Sequence, residues 1–241
     1  MKINFTALCN VSESELRGNE RASRLLDLPE VGSIGNVSER LAVVGGGPGV
    51  VDYVDELRSF PGEVWAINGA FHWCLSKGID ATFYTIDAKE VVSCMAMGAK
   101  RAVLSYRCHP LTFAACDGLI EIYSGPHLGP SSATAAALVA IQRGHKRVTF
   151  YGCNSDYSNA VGAPNPSPLQ HDGKMLVRAN GQEFMTNPGL IMQAELLSEI
   201  IREAPHVFDE RGGGLLAALV SDPEWFAVSA SQSIHDALKV A

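Results

Sequence analysis

Four glycines fall within five residues, Gly45, Gly46, Gly47 and Gly49, with Pro48 among them, in "LAVVGGGPGVVDY". A short apolar run precedes them and a helical pattern follows. Bare backbone at a strand end lets a phosphate approach closely, and a helix start adds unpaired N–H groups and a positive dipole end. A tight turn that binds nothing is the plainer alternative. Four glycines exceed what one turn needs, so ligand contact is expected here, with Gly47 as the point of closest phosphate approach, where φ could be positive. The dinucleotide fingerprint is incomplete, since its third glycine position holds Val50, and no Gly-Lys-Ser/Thr follows to make a P-loop.

Other candidate groups also follow apolar runs. Asn68 in "WAINGAF" could hydrogen-bond a ribose or a base, or cap an Asn-Gly turn. Asp87 in "FYTIDA" could bind a hydroxyl or a metal, or cap the next helix. Ser131, Ser132 and Thr134 open a helix just after His127, a second N-terminus able to hold phosphate. Gly152, Asn154, Asp156 and Tyr157 lie in "GCNSDYS" after another run, and the Tyr157 hydroxyl could donate to a leaving phosphate. His171 in "SPLQHDG" needs little tuning to act as a base near neutral pH, and could equally be a solvated loop residue. No G-x-S-x-G elbow, H-E-x-x-H or EF-hand pattern is present.

These groups need a scaffold that gathers strand ends. Apolar runs predict strands over Leu41–Val44, Glu63–Ile67, Ala81–Ile86, Arg101–Ser105, Leu119–Tyr123 and Arg147–Tyr151. Helical patterns lie between them at Gly49–Ser59, Ala70–Lys77, Lys89–Met97, Pro110–Cys116 and Ser131–Arg143. Continuous rather than alternating runs suit strands buried on both faces. The fold class is therefore α/β, a doubly wound, mostly parallel Rossmann-like sheet with helices on both faces. Ser12–Leu28 reads as a polar helix with a capping box from Ser12 to Glu15. After Tyr151 a long segment rich in Gly, Pro, Asn and Ser runs to Phe184, then a helix over Pro188–Glu203. The expected division is 1–40, an N-terminal helix and linker; 41–210, the nucleotide-binding domain; and 211–241, a helical closing segment.

Of the 241 residues, 46% are hydrophobic, enough for one sizeable core, and the net charge is −7. With no polybasic run, a nucleic-acid partner is not expected. No run of 18 apolar residues predicts a membrane span. The opening stretch turns polar after nine residues, unlike a secretory leader. None of the six cysteines sits in a C-x-x-C pair, which suits a reduced, cytoplasmic protein.

"LAVVGGGPG", "WAINGAF", "ATFYTIDA" and "GPSSATAAALVAIQRGHKRVTFYGCNSDYS" together resemble the MptE-like family, the 6-hydroxymethylpterin diphosphokinases and the central domain of motility accessory factors. Relatives of this group are also encoded by phages. The motif order is also similar to that of bacterial sialyltransferases that use CMP-sialic acid. The likeness runs from Leu41 to His171, with an echo in "EFMTNPGLIMQAE". Two positions depart from the pattern: Gly49 stands where such families often carry Ser, and Asn154 where Asp is usual. The resemblance implies a transferase with a nucleotide or nucleotide-sugar donor and a small-molecule or glycan acceptor. Glycosyl transfer, with His171 as base, is the leading expectation. A diphosphokinase would need Mg²⁺, carried by Asp87 and Asp156. A nucleotide-binding module without catalysis is the third.

Overall fold

The computed structural model describes residues 11–33, 37–126, 129, 131–158, 162–164 and 174–222. A seven-stranded sheet runs through it, built from β1 (Arg40–Val44), β2 (Glu63–Ile67), β3 (Thr82–Thr85), β4 (Arg101–Ser105), β5 (Leu119–Tyr123), β6 (Arg147–Tyr151) and β9 (Phe208–Arg211). Its order is β5-β4-β3-β2-β1-β6-β9, and every pairing is parallel. The doubly wound α/β expectation holds. Strand order proceeds outward from β1 to β5 on one side, and β6 lies on the other. The β1–β6 junction is thus the topological switch point, where such sheets leave a crevice beyond their carboxyl ends.

Helices cover both faces, as the two-sided burial of the strands requires. On one face α2 (Val54–Arg58), α3 (Ala70–Ser76), α4 (Ser93–Ala96) and α5 (Pro110–Ala114) bury Leu57, Phe71, Ala96 and Phe113 against Ala42, Val44 and Phe83. On the other, α6 (Ser132–Arg143), α7 (Pro188–Glu203) and α8 (Gly214–Ser221) pack Ala136, Leu197 and Leu216 over Leu41, Val43 and Phe150. The alanine-rich face of α6 lets that helix lie close to the strands, because short side chains hold it off least.

At the N-terminus α1 (Glu13–Ser23) begins at the expected capping box: Ser12 N–H donates to Glu15 at 2.7 Å and Glu15 N–H to Ser12 Oγ at 3.2 Å. It stops short of Leu28, with Arg24 as its C-cap and Asp27 at φ 44°. Asn19 ties it to the sheet by donating to the carbonyls of Ala88 and Arg107.

Three expectations are corrected. The helix expected over Gly49–Ser59 is a 3₁₀ turn, Pro48–Tyr53, before the short α2, with β-branched Val50 and Val51 in its middle. The one over Lys89–Met97 is likewise broken, into a 3₁₀ turn at Glu90–Val92 and α4. The segment to Phe184 is not loop throughout: β7 (Met175–Ala179) and β8 (Gln182–Thr186) form an antiparallel hairpin. Its turn is Asn180-Gly181, both at positive φ, the pair that a two-residue hairpin loop favours. No strand was expected at Phe208–Arg211, which pairs with β6 from the sheet edge.

Candidate functional site

The carboxyl ends of β1, β2 and β6 and the N-termini of α6 and α7 enclose a cleft of about 300 Å³. Gly45, Gly46, Gly47, Pro48, Asn68, Ser131, Ser132, Gly152, Asp156 and Tyr157 line it, so ten sequence-selected residues converge there. Gly49, Asp87, Thr134 and Asn154 do not line it. His171 and His127 lie outside the described residues.

The glycine turn owes its composition to neighbouring chain. A Cβ on Gly45 would come within 2.7 Å of the Gly152 carbonyl oxygen, and one on Gly47 within 2.5 Å of the same atom. A Cβ on Gly49 would stand 1.9 Å from the Gly212 carbonyl oxygen. Gly47 has φ −72°, so close approach, not a left-handed backbone, demands glycine there. Three of its amides are also committed. Gly45 N–H donates to Tyr151 O at 2.8 Å, Gly47 N–H to Gly152 O at 2.7 Å and Gly49 N–H to Asn154 Oδ1 at 3.3 Å. Pro48 has no N–H. Gly46 N–H alone has no partner among the described residues, so this turn borders the cleft as a smooth wall with one open amide rather than as a phosphate cradle of the P-loop kind.

Asn154 is the brace of that arrangement. Its Oδ1 accepts from Gly49, and its Nδ2 donates to Gly212 O at 2.6 Å, tying the turn after β1 to the turn after β9. Asp87 folds back to accept from Lys89 N–H at 3.0 Å. Thr134 is fully buried in a capping box with Ser131: Thr134 N–H donates to Ser131 Oγ and Ser131 N–H to Thr134 Oγ1, each at 3.2 Å. Each of these three has internal partners.

The remaining open groups belong to other residues. The capping box satisfies only part of the α6 N-terminus. The amides of Ser132 and Ala133 have no partner among the described residues, and both residues line the cleft. These are the orphan donors of a helix start, with the dipole's positive end behind them. Asn68 sits at φ 49°, a left-handed conformation that asparagine tolerates better than most residues. Its Oδ1 is buried without a hydrogen-bond partner. A buried orphan acceptor costs stability unless something satisfies it.

The far wall was only partly foreseen. Ser155 at φ 62° accepts from Gln193 Nε2 on its Oγ at 2.9 Å, and its carbonyl accepts from Thr186 Oγ1 at 2.9 Å. Asn187 caps α7 by accepting from Leu190 N–H at 2.8 Å, and its Nδ2 donates to the Tyr157 hydroxyl oxygen. The Lys174 ammonium lies 5.1 Å from the centre of the Tyr157 ring. The Asn187-Pro188 start of α7 was a readable signal for Asn187; nothing local marks Ser155 or Gln193. Cys153 also lines the cleft, but burial pushes its thiol up to about 12, so it is no nucleophile at neutral pH.

Asp156 is less available than its position suggests. One carboxylate oxygen accepts from Ser158 N–H at 2.8 Å, the other from Leu215 N–H at 2.9 Å, at the start of α8. With Asp87 outside the cleft, the two carboxylates proposed to share Mg²⁺ do not line one site. Among the described residues no three His, Cys, Asp or Glu side chains group to hold a metal ion. No described helix is long and apolar enough to cross a membrane.

No protein-family model matches the chain, and no curated protein matches its sequence. Its fold is similar to that of the MAf glycosyltransferase from Magnetospirillum magneticum AMB-1, with a TM-score of 0.59 at 14% identity over 83% of this chain. The chain spans 37% of that protein's length. At such identity the likeness shows a shared fold.

Proposed function

We propose that the chain is a transferase that binds a nucleotide-activated sugar in the switch-point cleft and transfers the glycosyl group. The observation that carries this reading is the set of unsatisfied groups there: two helix amides at Ser132 and Ala133, and the orphan Asn68 Oδ1. The first pair suits a phosphate oxygen and the last a hydroxyl or amino hydrogen, as a nucleotide offers both. The likeness to a glycosyltransferase fold and the motif resemblance support the same reading.

In this scheme the donor's phosphate lies against the α6 N-terminus. The smooth glycine wall admits it, and the Tyr157 hydroxyl, oriented by Asn187, donates to the phosphate as the sugar leaves. Charge on the leaving group is met by the helix dipole and by Lys174, so the chain itself supplies the stabilisation. Among the described lining residues there is no histidine, and His171 is proposed as the base that takes the acceptor's proton.

A thermal-shift series with CMP, UMP, CDP, GDP, ADP and ATP, with and without Mg²⁺, tests the binding step. One nucleotide at a hundred times its Kd is expected to add about 2.7 kcal/mol. No shift with any of them overturns the reading. Turnover of the matching nucleotide-sugar is expected to survive EDTA and to fall ~10²–10⁴-fold in His171→Ala, with donor affinity unchanged. Abolition by EDTA would favour diphosphoryl transfer. Binding without turnover would favour a non-catalytic module.

A further inference from the structure

A second concavity of about 280 Å³ opens on the side of the sheet that carries α2. It is lined by alternate residues of two strands: Arg147, Thr149 and Tyr151 of β6, and Asp209 and Arg211 of β9. Arg40 of β1, Glu56 of α2 and the segment from Pro205 to Phe208, His206 included, complete its rim. Alternation puts these strand residues on one face. Elsewhere that face is apolar and covered by α2 to α5. Over β6 and β9 it carries guanidinium groups instead.

The charges in this groove do not balance locally. Glu56 accepts from the Tyr151 hydroxyl at 2.6 Å, and Asp209 pairs with Arg211 at 3.4 Å. The Arg147 backbone N–H donates to Glu39 O at 2.9 Å, but its side chain makes no hydrogen bond, ion pair or ring contact among the described residues. The Arg40 guanidinium lies 5.5 Å from the centre of the Phe60 ring and has no carboxylate partner among the described residues. Arg40 and Arg147 are also register partners on adjacent parallel strands. Like charges placed opposite one another on a sheet face repel. A chain of net charge −7 thus gathers Arg40, Arg147 and Arg211 against only Glu56 and Asp209 in this groove, with Arg40 and Arg147 in register and His206 on the same rim.

We propose that this groove is an anion site separate from the switch-point cleft, and that it takes a phosphate dianion. The ligand is free phosphate or the phosphate group of a small phosphorylated molecule. A dianion between Arg40 and Arg147 removes their mutual repulsion. Two planar forks suit phosphate oxygens better than point charges would. Arg211 and His206 lie within the same concavity, where they extend the contact to a second phosphate oxygen or to a neighbouring hydroxyl.

The test is calorimetric titration of the full chain with inorganic phosphate, pyrophosphate and glucose 6-phosphate, each with and without saturating nucleotide. Phosphate-containing probes are expected to bind whether or not nucleotide is present. Binding is expected to weaken tenfold or more in Arg147→Gln and in Arg40→Gln, with nucleotide affinity unchanged. Arg147→Lys keeps the charge but not the fork and should fall between. Equal affinity for phosphate and the sugar phosphate identifies free anion as the ligand; tighter sugar phosphate identifies a phosphorylated small molecule. In the absence of anion, Arg147→Gln should melt higher than the unsubstituted chain, because the Arg40–Arg147 repulsion is gone. No binding by any probe overturns the proposal. So does binding that nucleotide abolishes or that both glutamine variants leave unchanged.

Discussion

The Arg143 network and the switch-point cleft, at opposite ends of the parallel sheet, are built on opposite terms. Towards the amino ends, Arg143 at the close of α6 is 11% exposed and saturated. It donates to both oxygens of Glu121, at 3.1 and 3.0 Å from Nε, and to Glu63. It also lies 3.3 Å from His145 Nε2. His145 Nδ1 donates to Ser38 O at 2.7 Å, so the other ring nitrogen accepts from Arg143 and the imidazole is neutral. Burial lowers its pKa, outweighing the pull of Glu63. Burial alone would raise the Glu63 carboxyl, but the hydrogen bond and charge of Arg143 hold it below the usual range. At the carboxyl ends, by contrast, Asn68 and the first amides of α6 are left unsatisfied. The Arg143 network spends its polar groups on itself, and the switch-point cleft leaves some of its own without a partner. Saturation marks a structural network, and orphaned groups in a concavity mark a binding site.

Removing Arg143 should break the first term of this contrast most severely. Arg143→Ala strands Glu121, whose side chain is 5% exposed, and is expected to cost about 3–5 kcal/mol in urea unfolding. Nucleotide affinity of the folded fraction should stay as it was. A loss below about 1 kcal/mol would mean that the amino end is an ordinary solvated ion cluster.

Next in size is the glycine wall. Gly49→Ala forces a Cβ to within 1.9 Å of the Gly212 carbonyl, and Gly47→Ala meets Gly152 at 2.5 Å. Each should lower stability by about 1–3 kcal/mol, because backbone must move. Melting curves without ligand would show this. Unchanged melting with weakened nucleotide binding would return these glycines to a direct ligand role.

Asn68→Gly sharpens the contrast from the other side. Glycine keeps the left-handed backbone and deletes the orphan acceptor. Nucleotide affinity is expected to fall about tenfold, or ~1.4 kcal/mol, with melting unchanged or slightly higher. A large stability loss would show that Asn68 is a structural cap.

The smallest effect is expected on the flank of α7. Burial, then Glu195 and Glu203, raise the Glu199 carboxyl to about 7. A raised carboxyl contributes stability fully below the unfolded value of 4.5 and loses that contribution as pH rises through about 7. Glu199→Gln should therefore flatten the stability profile between pH 4.5 and 8 and melt higher than the unsubstituted chain at pH 8. Parallel profiles for the two would assign the pH dependence elsewhere.

Much of the scaffold was legible because parallel strands buried on both faces are written as unbroken apolar runs. Glu63–Ile67, Arg101–Ser105, Leu119–Tyr123 and Arg147–Tyr151 have the bounds the runs predict. β9 was not legible for the converse reason. "FDER" is an edge strand whose outward residues are charged, and only Phe208 is buried. In the hairpin, Asn180-Gly181 was a usable signal, but four residues of each flanking strand are at least partly exposed, so no apolar run announces them.

For the site, strand-end logic brought Gly45 to Pro48, Asn68, Ser131, Ser132, Gly152, Asp156 and Tyr157 to one cleft. It did not separate the residues that face the cleft from those that hold it together. Asn154 lies in the same motif as Tyr157, yet its amide joins two backbone turns.

What the sequence determined by itself is local: where apolar runs stop, which residues can cap a helix, where glycine or asparagine permits a left-handed turn. Those properties depend on a residue and its near neighbours, so they place the carboxyl ends of β1, β2, β4, β5 and β6 without knowing what lies beside them. Which polar groups remain unsatisfied was decided only by the tertiary structure. The amide of Gly49 is consumed by Asn154, 105 positions along the chain, because β1 and β6 are adjacent at the switch point. The amides of Ser132 and Ala133 stay open because no acceptor among the described residues reaches them, although Ile86 N–H donates to Ser132 Oγ at 3.3 Å. A hydrogen bond to a distant partner is a property of the packing, and the composition of a motif does not contain it.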